Sequence, residues 1–233
     1  MRIASSSQTL AVCVALIVLM LSGCDYLIGA EDMISRGDQA MVSAHYQEAE
    51  KWFRRAAQKG NAEGRRKLGV MYQKGLGVEQ DPTKAFKWFI LAAKQGDQDA
   101  KLFVGESYLE GNGVGQNVNE ALKWFILAAD QGNASAEYSL GKAYATGMAV
   151  ETDFTESKKW FLRAAGDVSS TGADRNSDSD KALVWLAFLA MEERNYDEAM
   201  KFYRLASSRG VAEIENYIAI LEQRIEAERE QAA

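Results

Sequence analysis

Histidine, cysteine and proline are almost missing from this chain of 233 residues. It contains one histidine, His45, two cysteines, Cys13 and Cys24, and one proline, Pro82. A single histidine has no second histidine to share a metal ion and no nucleophile beside it, and we expect it to be a surface turn residue. Two cysteines cannot form a disulfide framework. We therefore expect neither a metal site nor a cofactor.

Two further absences argue against catalysis. The glycine-bearing stretches GLGV and GNGVG follow predicted helices instead of strands, so they do not fit phosphate-binding loops. The carboxylates lie at helix caps and on polar faces, and no two of them are singled out as an acid–base pair. Residues 174–180 alternate like a calcium loop, but Ser179 and Trp185 stand where glycine and glutamate are required. We predict that the protein is not an enzyme.

The N-terminal 24 residues have the composition of a secretion signal. Arg2 precedes an apolar run at residues 10–21, which is too short to span a membrane comfortably. Residues 21–24, LSGC, resemble a bacterial lipobox, which implies cleavage before Cys24 and acylation of Cys24. An ordinary signal peptide with a chance cysteine is the alternative. We expect residues 1–23 to be the signal peptide and residues 24–30 to be the acylated cysteine and a tether.

The lipobox resemblance implies a chain held at a lipid bilayer and facing the periplasm. Asp25 follows the cysteine directly. An aspartate at this place resembles the signal that retains lipoproteins of enteric bacteria in the inner membrane. We therefore favour the inner membrane, with the outer membrane as the alternative.

A phrase that recurs every 36 residues organises the rest of the chain. KWFRRAA, KWFILAA, KWFILAA and KWFLRAA place Trp52, Trp88, Trp124 and Trp160 on one period, and LGVMY, VGESY and LGKAY repeat with the same period. Each unit thus holds two short apolar-periodic segments joined by a glycine-bearing turn. Neither segment can bury its apolar face alone, so the units must stack.

The three units with long turns resemble the Sel-one-like repeat, a relative of the tetratricopeptide repeat. The first and last units have tight turns and resemble the tetratricopeptide repeat itself. The matching residues of one unit are Ala62, Leu68, Gly69, Tyr72, Gly75, Gly77, Val78, Ala85, Trp88, Phe89, Ala92 and Ala93. The resemblance implies an all-α fold, a right-handed α-solenoid of about five helix-turn-helix repeats with a C-terminal capping helix.

The repeats predict where helices begin and what packs between them. Asp81, Asn117, Asp153 and Asn195 stand where N-caps belong, and Pro82 suits a first helical position. We expect the tryptophan–phenylalanine pairs to fill the space between units. The predicted repeats are residues 31–60, 61–96, 97–132, 133–166 and 181–210, with an inserted loop at 166–180 and a capping helix at 211–233.

The family resemblance places a protein-binding groove on the first helix of each repeat. We predict a scaffold or adaptor for other envelope proteins or peptides, with no nucleic acid partner, since the net charge is −6. The alternative is that several groove residues pack between helices. The predicted lining is Ile34, Met41, Arg66, Val70, Gln73, Leu102, Glu106, Leu109, Tyr138, Lys142, Val184, Phe188 and Met191.

Two other functions stay open at this point. Relatives of this kind suggest an accessory subunit of an envelope machine, in exopolysaccharide export, secretion or cell-wall enzyme regulation. Some cysteine-rich relatives are described as hydrolases that bind β-lactams, which would make cell-wall or β-lactam hydrolysis a further alternative. The chain lacks their paired cysteines. The sequence does not indicate an oligomeric state.

Overall fold

A computed structural model describes residues 28–148, 150–166 and 177–232. The predicted signal peptide, Cys24 and Asp25 lie outside the described residues, as does most of the predicted loop. The chain divides into two compact units, unit 1 at residues 1–81 and unit 2 at residues 82–233. The division falls at the end of the turn of the second predicted repeat.

The described part of the chain contains eleven α-helices and no strand. None of these helices combines the length and the apolar character that a bilayer crossing requires. In unit 1 the helices are α1 (Ala30–Val42), α2 (Tyr46–Gln58) and α3 (Ala62–Lys74). In unit 2 they are α4 (Pro82–Ala93), α5 (Gln98–Glu110), α6 (Val118–Ala129), α7 (Ala134–Thr146), α8 (Phe154–Ala165), α9 (Ser177–Glu192), α10 (Tyr196–Ser208) and α11 (Ile214–Ala232).

Unit 1 is a hairpin with a third helix packed against it. Helix α1 packs along α2, and α2 packs along α3. The predicted tight turn is confirmed, because α1 and α2 are joined by three residues and Ala44 takes a left-handed φ of 57°. Met33, Phe53 and Leu68, one from each helix, are no more than 1% exposed and form the apolar centre of the unit.

Unit 2 continues the same arrangement over eight helices. Each helix packs against the next along the chain, and α7 also packs against α9. The side-chain oxygens of Asn117, Asp153 and Asn195 accept hydrogen bonds from backbone N–H groups in the first turns of α6, α8 and α10. These N-caps were predicted, and α4 begins at Pro82, as expected.

The tryptophan–phenylalanine pairs are divided between core and rim. Phe53, Phe89, Phe125 and Phe161 are at most 2% exposed, whereas the preceding tryptophans are only half-buried. The phenylalanines are therefore core residues, whereas the tryptophans contribute only part of their surface, as Trp160 does where it packs against the core of the preceding helices. The reason is helical geometry, since neighbours in sequence point about 100° apart and only one of them can face the core.

Close helix contacts explain a glycine in the first helix of three repeats. A Cβ on Gly105 would lie 2.5 Å from the Phe125 ring, and one on Gly141 would lie 2.6 Å from the Phe161 ring. A Cβ on Gly37 would overlap the Phe53 ring in the same way. At these positions a phenylalanine ring of the neighbouring helix therefore occupies the space that a side chain would need.

The C-terminal end differs from the prediction at one boundary. Helix α9 begins at Ser177, so residues 177–180 are helical instead of belonging to the predicted loop. Asp178 in this first turn forms an ion pair of 2.8 Å with Lys181, and acidic residues favour helix N-termini. The predicted capping helix packs against the preceding helices through Ile214 and Leu221, which are both buried.

Candidate protein-interaction surface

In unit 1 the predicted groove residues are mostly half-buried. Ile34 is only 7% exposed and packs inside the unit, so it does not line a groove. Met41, Arg66, Val70 and Gln73 retain partial exposure. The Arg66 guanidinium lies 3.9 Å from the Glu63 carboxylate on the same helix. Unit 1 therefore presents a mixed polar and apolar surface at these positions.

In unit 2 one predicted residue is buried and seven remain accessible. Leu102 is 8% exposed and belongs to the apolar core, which was the alternative left open for such residues. Phe188 is 42% exposed. The half-buried members are Glu106, Leu109, Tyr138, Lys142, Val184 and Met191.

Leu109, Tyr138 and Lys142 lie together around a small cavity. It has a volume of about 80 Å³, and Leu122 and Phe125 complete much of its apolar wall. The three predicted residues come from two helices, α5 and α7, as the repeat pattern requires. These three predicted groove residues therefore lie close together, and their role in binding a protein stays a prediction.

A row of aromatic rings leads from this cavity towards α9. The ring of Tyr138 lies 5.8 Å from Phe161, which stacks at 5.5 Å on Trp185, and Trp185 meets Phe188 edge-on at 5.8 Å. Phe161 is fully buried and forms the floor of the row. Offset and edge-to-face contacts of this kind hold aromatic side chains in fixed orientations. The row is therefore a rigid feature.

A second, larger cavity lies at the α9 end of the row. It has a volume of about 250 Å³ and is lined by Val184, Trp185, Phe188, Tyr203 and Tyr217. Tyr203 and Tyr217 stack on each other with their centroids 5.7 Å apart. We call Leu109, Tyr138, Val184, Trp185 and Phe188 the aromatic surface.

The sequence prediction missed three members of this site, namely Trp185, Tyr203 and Tyr217. Trp185 directly follows the predicted Val184, but the repeat pattern assigns groove positions only at Val184, Phe188 and Met191. Its aromatic type in a half-buried position was the available signal. Tyr203 and Tyr217 lie on α10 and α11, which the pattern does not assign to a groove.

Charges of both signs flank the aromatic surface. The ammonium groups of Lys142 and Lys181 lie 5.7 and 5.9 Å from the centre of the Tyr138 ring, within cation–π range. Burial, together with the nearby carboxylates of Glu110 and Asp178, raises the pKa of Glu106 to about 7. A carboxyl with this pKa is mostly neutral at pH 6 and mostly ionised at pH 8. The surface therefore becomes more negative as the pH rises through neutrality.

The described residues offer little else for chemistry. In residues 28–148, 150–166 and 177–232, no three His, Cys, Asp or Glu side chains are grouped closely enough to hold a metal ion. His45 precedes α2 in the tight turn and makes no side-chain capping bond. It lies beside an open, polar depression that Arg36, Glu48 and Trp52 also line.

Comparison with known sequences assigns this architecture to a family. Five successive segments match the Sel1 repeat, at residues 24–61, 62–97, 98–133, 134–167 and 187–211. The chain belongs to the Sel1 repeat family, and its fold is the all-α Sel1 repeat solenoid. Proteins of this family are generally non-enzymatic scaffolds for protein interactions. The sequence resemblance is thereby confirmed.

Solved structures agree with this assignment. A Sel1 repeat protein from Oxalobacter formigenes is 25% identical to this chain, with a TM-score of 0.70. The match covers 81% of this chain and 72% of the Oxalobacter protein. A protective antigen of uropathogenic Escherichia coli is 30% identical, with a TM-score of 0.74 over 83% of this chain. This chain spans 41% of that antigen's length. No curated protein matches the sequence.

Proposed function

We propose that this protein is a scaffold that binds an apolar segment of another envelope protein on the aromatic surface of unit 2. The observation that carries the proposal is the exposure of Phe188, which is 42% accessible beside the 250 Å³ cavity. Solvent-exposed aromatic side chains around a cavity are typical anchors of protein interfaces. The family's general role as an interaction scaffold supports the same conclusion.

The shape of the surface favours a peptide or a helix as the bound element. The two cavities flank the aromatic row, and each has room for an apolar side chain. A segment with apolar residues at helical spacing would place successive side chains along this row. Lys142 and Lys181 beside Tyr138 would favour an acidic residue next to the apolar ones.

The second part of the proposal is that acylated Cys24 holds the scaffold at a membrane, facing the periplasm. Its support is the sequence of residues 1–24, with a basic start, a short apolar run and the LSGC ending. An anchored scaffold is suited to serve as an accessory subunit of an envelope machine. Mass spectrometry of the N-terminal peptide tests this part, since acyl groups on Cys24 are expected, and an unmodified cysteine contradicts it.

Site-specific photocrosslinking tests the binding surface. A photoreactive phenylalanine analogue replaces Phe188 in the full chain, and in a matched variant it replaces Leu127, which is 46% exposed on α6. We expect a discrete crosslinked protein from position 188 and none from position 127. The additional change Leu109→Glu should abolish the crosslink, because it places a charge in the smaller cavity.

Two outcomes would contradict the proposed binding surface. One is crosslinking of equal strength at both positions, which indicates random contact. The other is a crosslink at position 188 that persists in the Leu109→Glu variant while its circular dichroism spectrum and melting curve match the parent. Failure of the anchor would leave both of these readouts interpretable, because the crosslink does not require an acylated cysteine.

A further inference from the structure

Unit 1 carries a concentration of positive charge that the chain as a whole does not. Of the 24 residues from Lys51 to Lys74, eight are Lys or Arg and one, Glu63, is acidic, although the chain has a net charge of −6. The eight cations are Lys51, Arg54, Arg55, Lys59, Arg65, Arg66, Lys67 and Lys74. They lie on α2, on α3 and in the connection between these helices.

Some of these cations are neutralised inside the unit. Arg54 is held by Glu50 and also donates a hydrogen bond of 2.7 Å to the Tyr72 hydroxyl. Lys67 forms ion pairs with Asp38 at 2.7 Å and with Glu63 at 3.3 Å. These cations therefore have structural partners and contribute little positive field at the surface.

A second group of cations surrounds Trp52 at the surface. The guanidinium carbons of Arg36 and Arg55 each lie 5.1 Å from the centre of the Trp52 ring, which is half-buried. Both arginines are exposed, and so is Lys59, one helical turn beyond Arg55. We call Arg36, Trp52, Arg55 and Lys59 the basic surface.

The basic surface lies next to the point where the described chain begins. The Lys59 ammonium donates a hydrogen bond of 2.7 Å to the backbone carbonyl of Ile28. Ile28 is four residues after Cys24, and four extended residues reach about 14 Å at most. If Cys24 is the membrane anchor, Lys59 must lie within roughly two Debye lengths of the bilayer surface at physiological salt.

A purely structural role does not account for the whole group. Cations near the C-terminal end of a helix stabilise its dipole, and Arg65 donates to the Ala57 carbonyl of α2 at 3.4 Å. Arg36, however, lies in the middle of α1, and no carboxylate pairs with it among the described residues. Tryptophan flanked by arginine and lysine is the composition found at membrane–water interfaces.

We propose that the basic surface binds the anionic phospholipid headgroups of the bilayer in which the chain is anchored. The position of this site rests on the proposed acylation of Cys24, whereas its affinity for anionic lipid does not. The cations would lie against phosphate groups, with Trp52 at the level of the headgroups. This contact would fix the orientation of unit 1 on the membrane.

Vesicle binding by the unacylated mature chain tests this proposal. The protein starts at residue 24, carries Cys24→Ser, retains every described residue, and is mixed with vesicles of phosphatidylcholine alone or with an equal part of phosphatidylglycerol. We expect binding to the mixed vesicles alone, weakened by added salt. The triple variant Arg36→Gln, Arg55→Gln, Lys59→Gln should bind about 100-fold more weakly, since each cation near an anionic surface contributes about fivefold.

The matched control removes the same charge elsewhere. Lys84→Gln, Lys87→Gln and Lys94→Gln take away three exposed cations on or just after α4 in unit 2. We expect this variant to bind the mixed vesicles within about fivefold of the parent chain. Three outcomes would overturn the proposal: equal binding to both kinds of vesicle, an equal loss in the two triple variants, or displacement by millimolar inorganic phosphate at constant ionic strength.

Membrane fractionation of the acylated full chain distinguishes the lipid-binding proposal from the proposed acylation of Cys24. If Cys24 is acylated, the Arg36, Arg55 and Lys59 variant should stay in the membrane fraction, because its acyl chains still hold it. If Cys24 is not acylated, this fractionation fails while the vesicle result stands unchanged. The two proposals are therefore contradicted by different measurements.

Discussion

The same KWF phrase carries different neighbours in the two units. In unit 1 it is followed by Arg54 and Arg55, whereas in α6 of unit 2 it is followed by Ile126 and Leu127, which are 40% and 46% exposed. The phenylalanine and the two alanines of the phrase are buried in both units. The comparison teaches that the buried phenylalanine and alanines are shared, whereas the two exposed positions after the phenylalanine distinguish one repeat from another.

The functional proposals follow this division. The cations of the basic surface and the residues of the aromatic surface lie at positions that differ between repeats, whereas Trp52 belongs to the shared phrase. The tightly packed glycine–phenylalanine contacts are common to the two units and serve stability alone. Substitutions at shared positions should therefore have similar effects in each unit, and substitutions at variable positions should not.

The largest effect is expected at the shared glycine. Gly105→Val would force a branched side chain into the Phe125 ring, which lies 2.5 Å from the ideal Cβ position. We expect a loss of about 3 kcal/mol in the free energy of unfolding, measured by urea denaturation. Gly37→Val against Phe53 should cost a similar amount in unit 1.

Gly115 provides the control for this substitution. Nothing lies within 4 Å of its ideal Cβ position, so Gly115→Ala should change the free energy of unfolding by about 0.5 kcal/mol or less. A valine at position 105 that is tolerated as well as alanine at position 115 would mean that Phe125 moves aside, and the shared contact would not define the repeat.

An intermediate effect on the free energy of unfolding is expected at Arg163, which has different contacts from Arg55 at the equivalent position of unit 1. Arg163 in unit 2 stands at the place of Arg55, but it donates to the Glu137 carboxylate at 3.0 Å and to the Ala129 carbonyl at 2.7 Å. Glu137 is 5% exposed, and burial raises its pKa, partly offset by Arg163. Arg163→Ala should lower the free energy of unfolding by about 2 kcal/mol, because a buried carboxylate loses its partner.

Arg55→Ala is the matched change in unit 1. Arg55 is exposed, so its loss should cost about 0.5 kcal/mol or less in the same urea titration. Adding Glu137→Gln to Arg163→Ala should recover part of the lost stability, since the unpaired charge is removed. Equal costs at positions 55 and 163 would show that the Glu137 contact contributes nothing.

The smallest effect on the free energy of unfolding is expected at the N-cap of a helix. His45 and Asn195 have similar backbone angles, with φ, ψ of −82°, 63° and −89°, 74°, but only Asn195 caps its helix, by accepting from the Glu198 N–H. His45→Asn should therefore create the missing bond to α2 and raise the free energy of unfolding by about 0.5 kcal/mol. The measurement is a thermal melt, with Asn195→Ala as the reverse change. A melting temperature unchanged by His45→Asn would contradict the prediction.

The 36-residue period predicted most of the fold because it identifies equivalent residues. It placed the starts of α4, α6 and α8, whereas the start of α10 was predicted from its cap residue and the terminal helix from helical spacing. These features depend on local signals, namely caps, glycines and helical spacing, which a single sequence contains.

The period could not predict which side of each helix a neighbouring helix covers. Ile34 and Leu102 are buried although their positions match the groove pattern, and the tryptophans are half-buried although they look like core residues. Trp185 was missed because its role depends on its contact with Phe161 in another helix. The charge of unit 1 was hidden by the acidic average of the whole chain, which describes no particular surface.

In two of the long turns a glycine lies close to the main chain of the preceding repeat. A Cβ on Gly77 would overlap the backbone of Tyr46, at the start of α2, and a Cβ on Gly113 would overlap the backbone of Pro82, at the start of α4. In these two turns the glycine thus lies against the main chain at the start of the second helix of the preceding repeat. A contact between glycine and main chain does not depend on the side chains of the preceding repeat. Gene duplication could therefore add repeats, and recombination could exchange them, without the evolution of a new pair of complementary side chains.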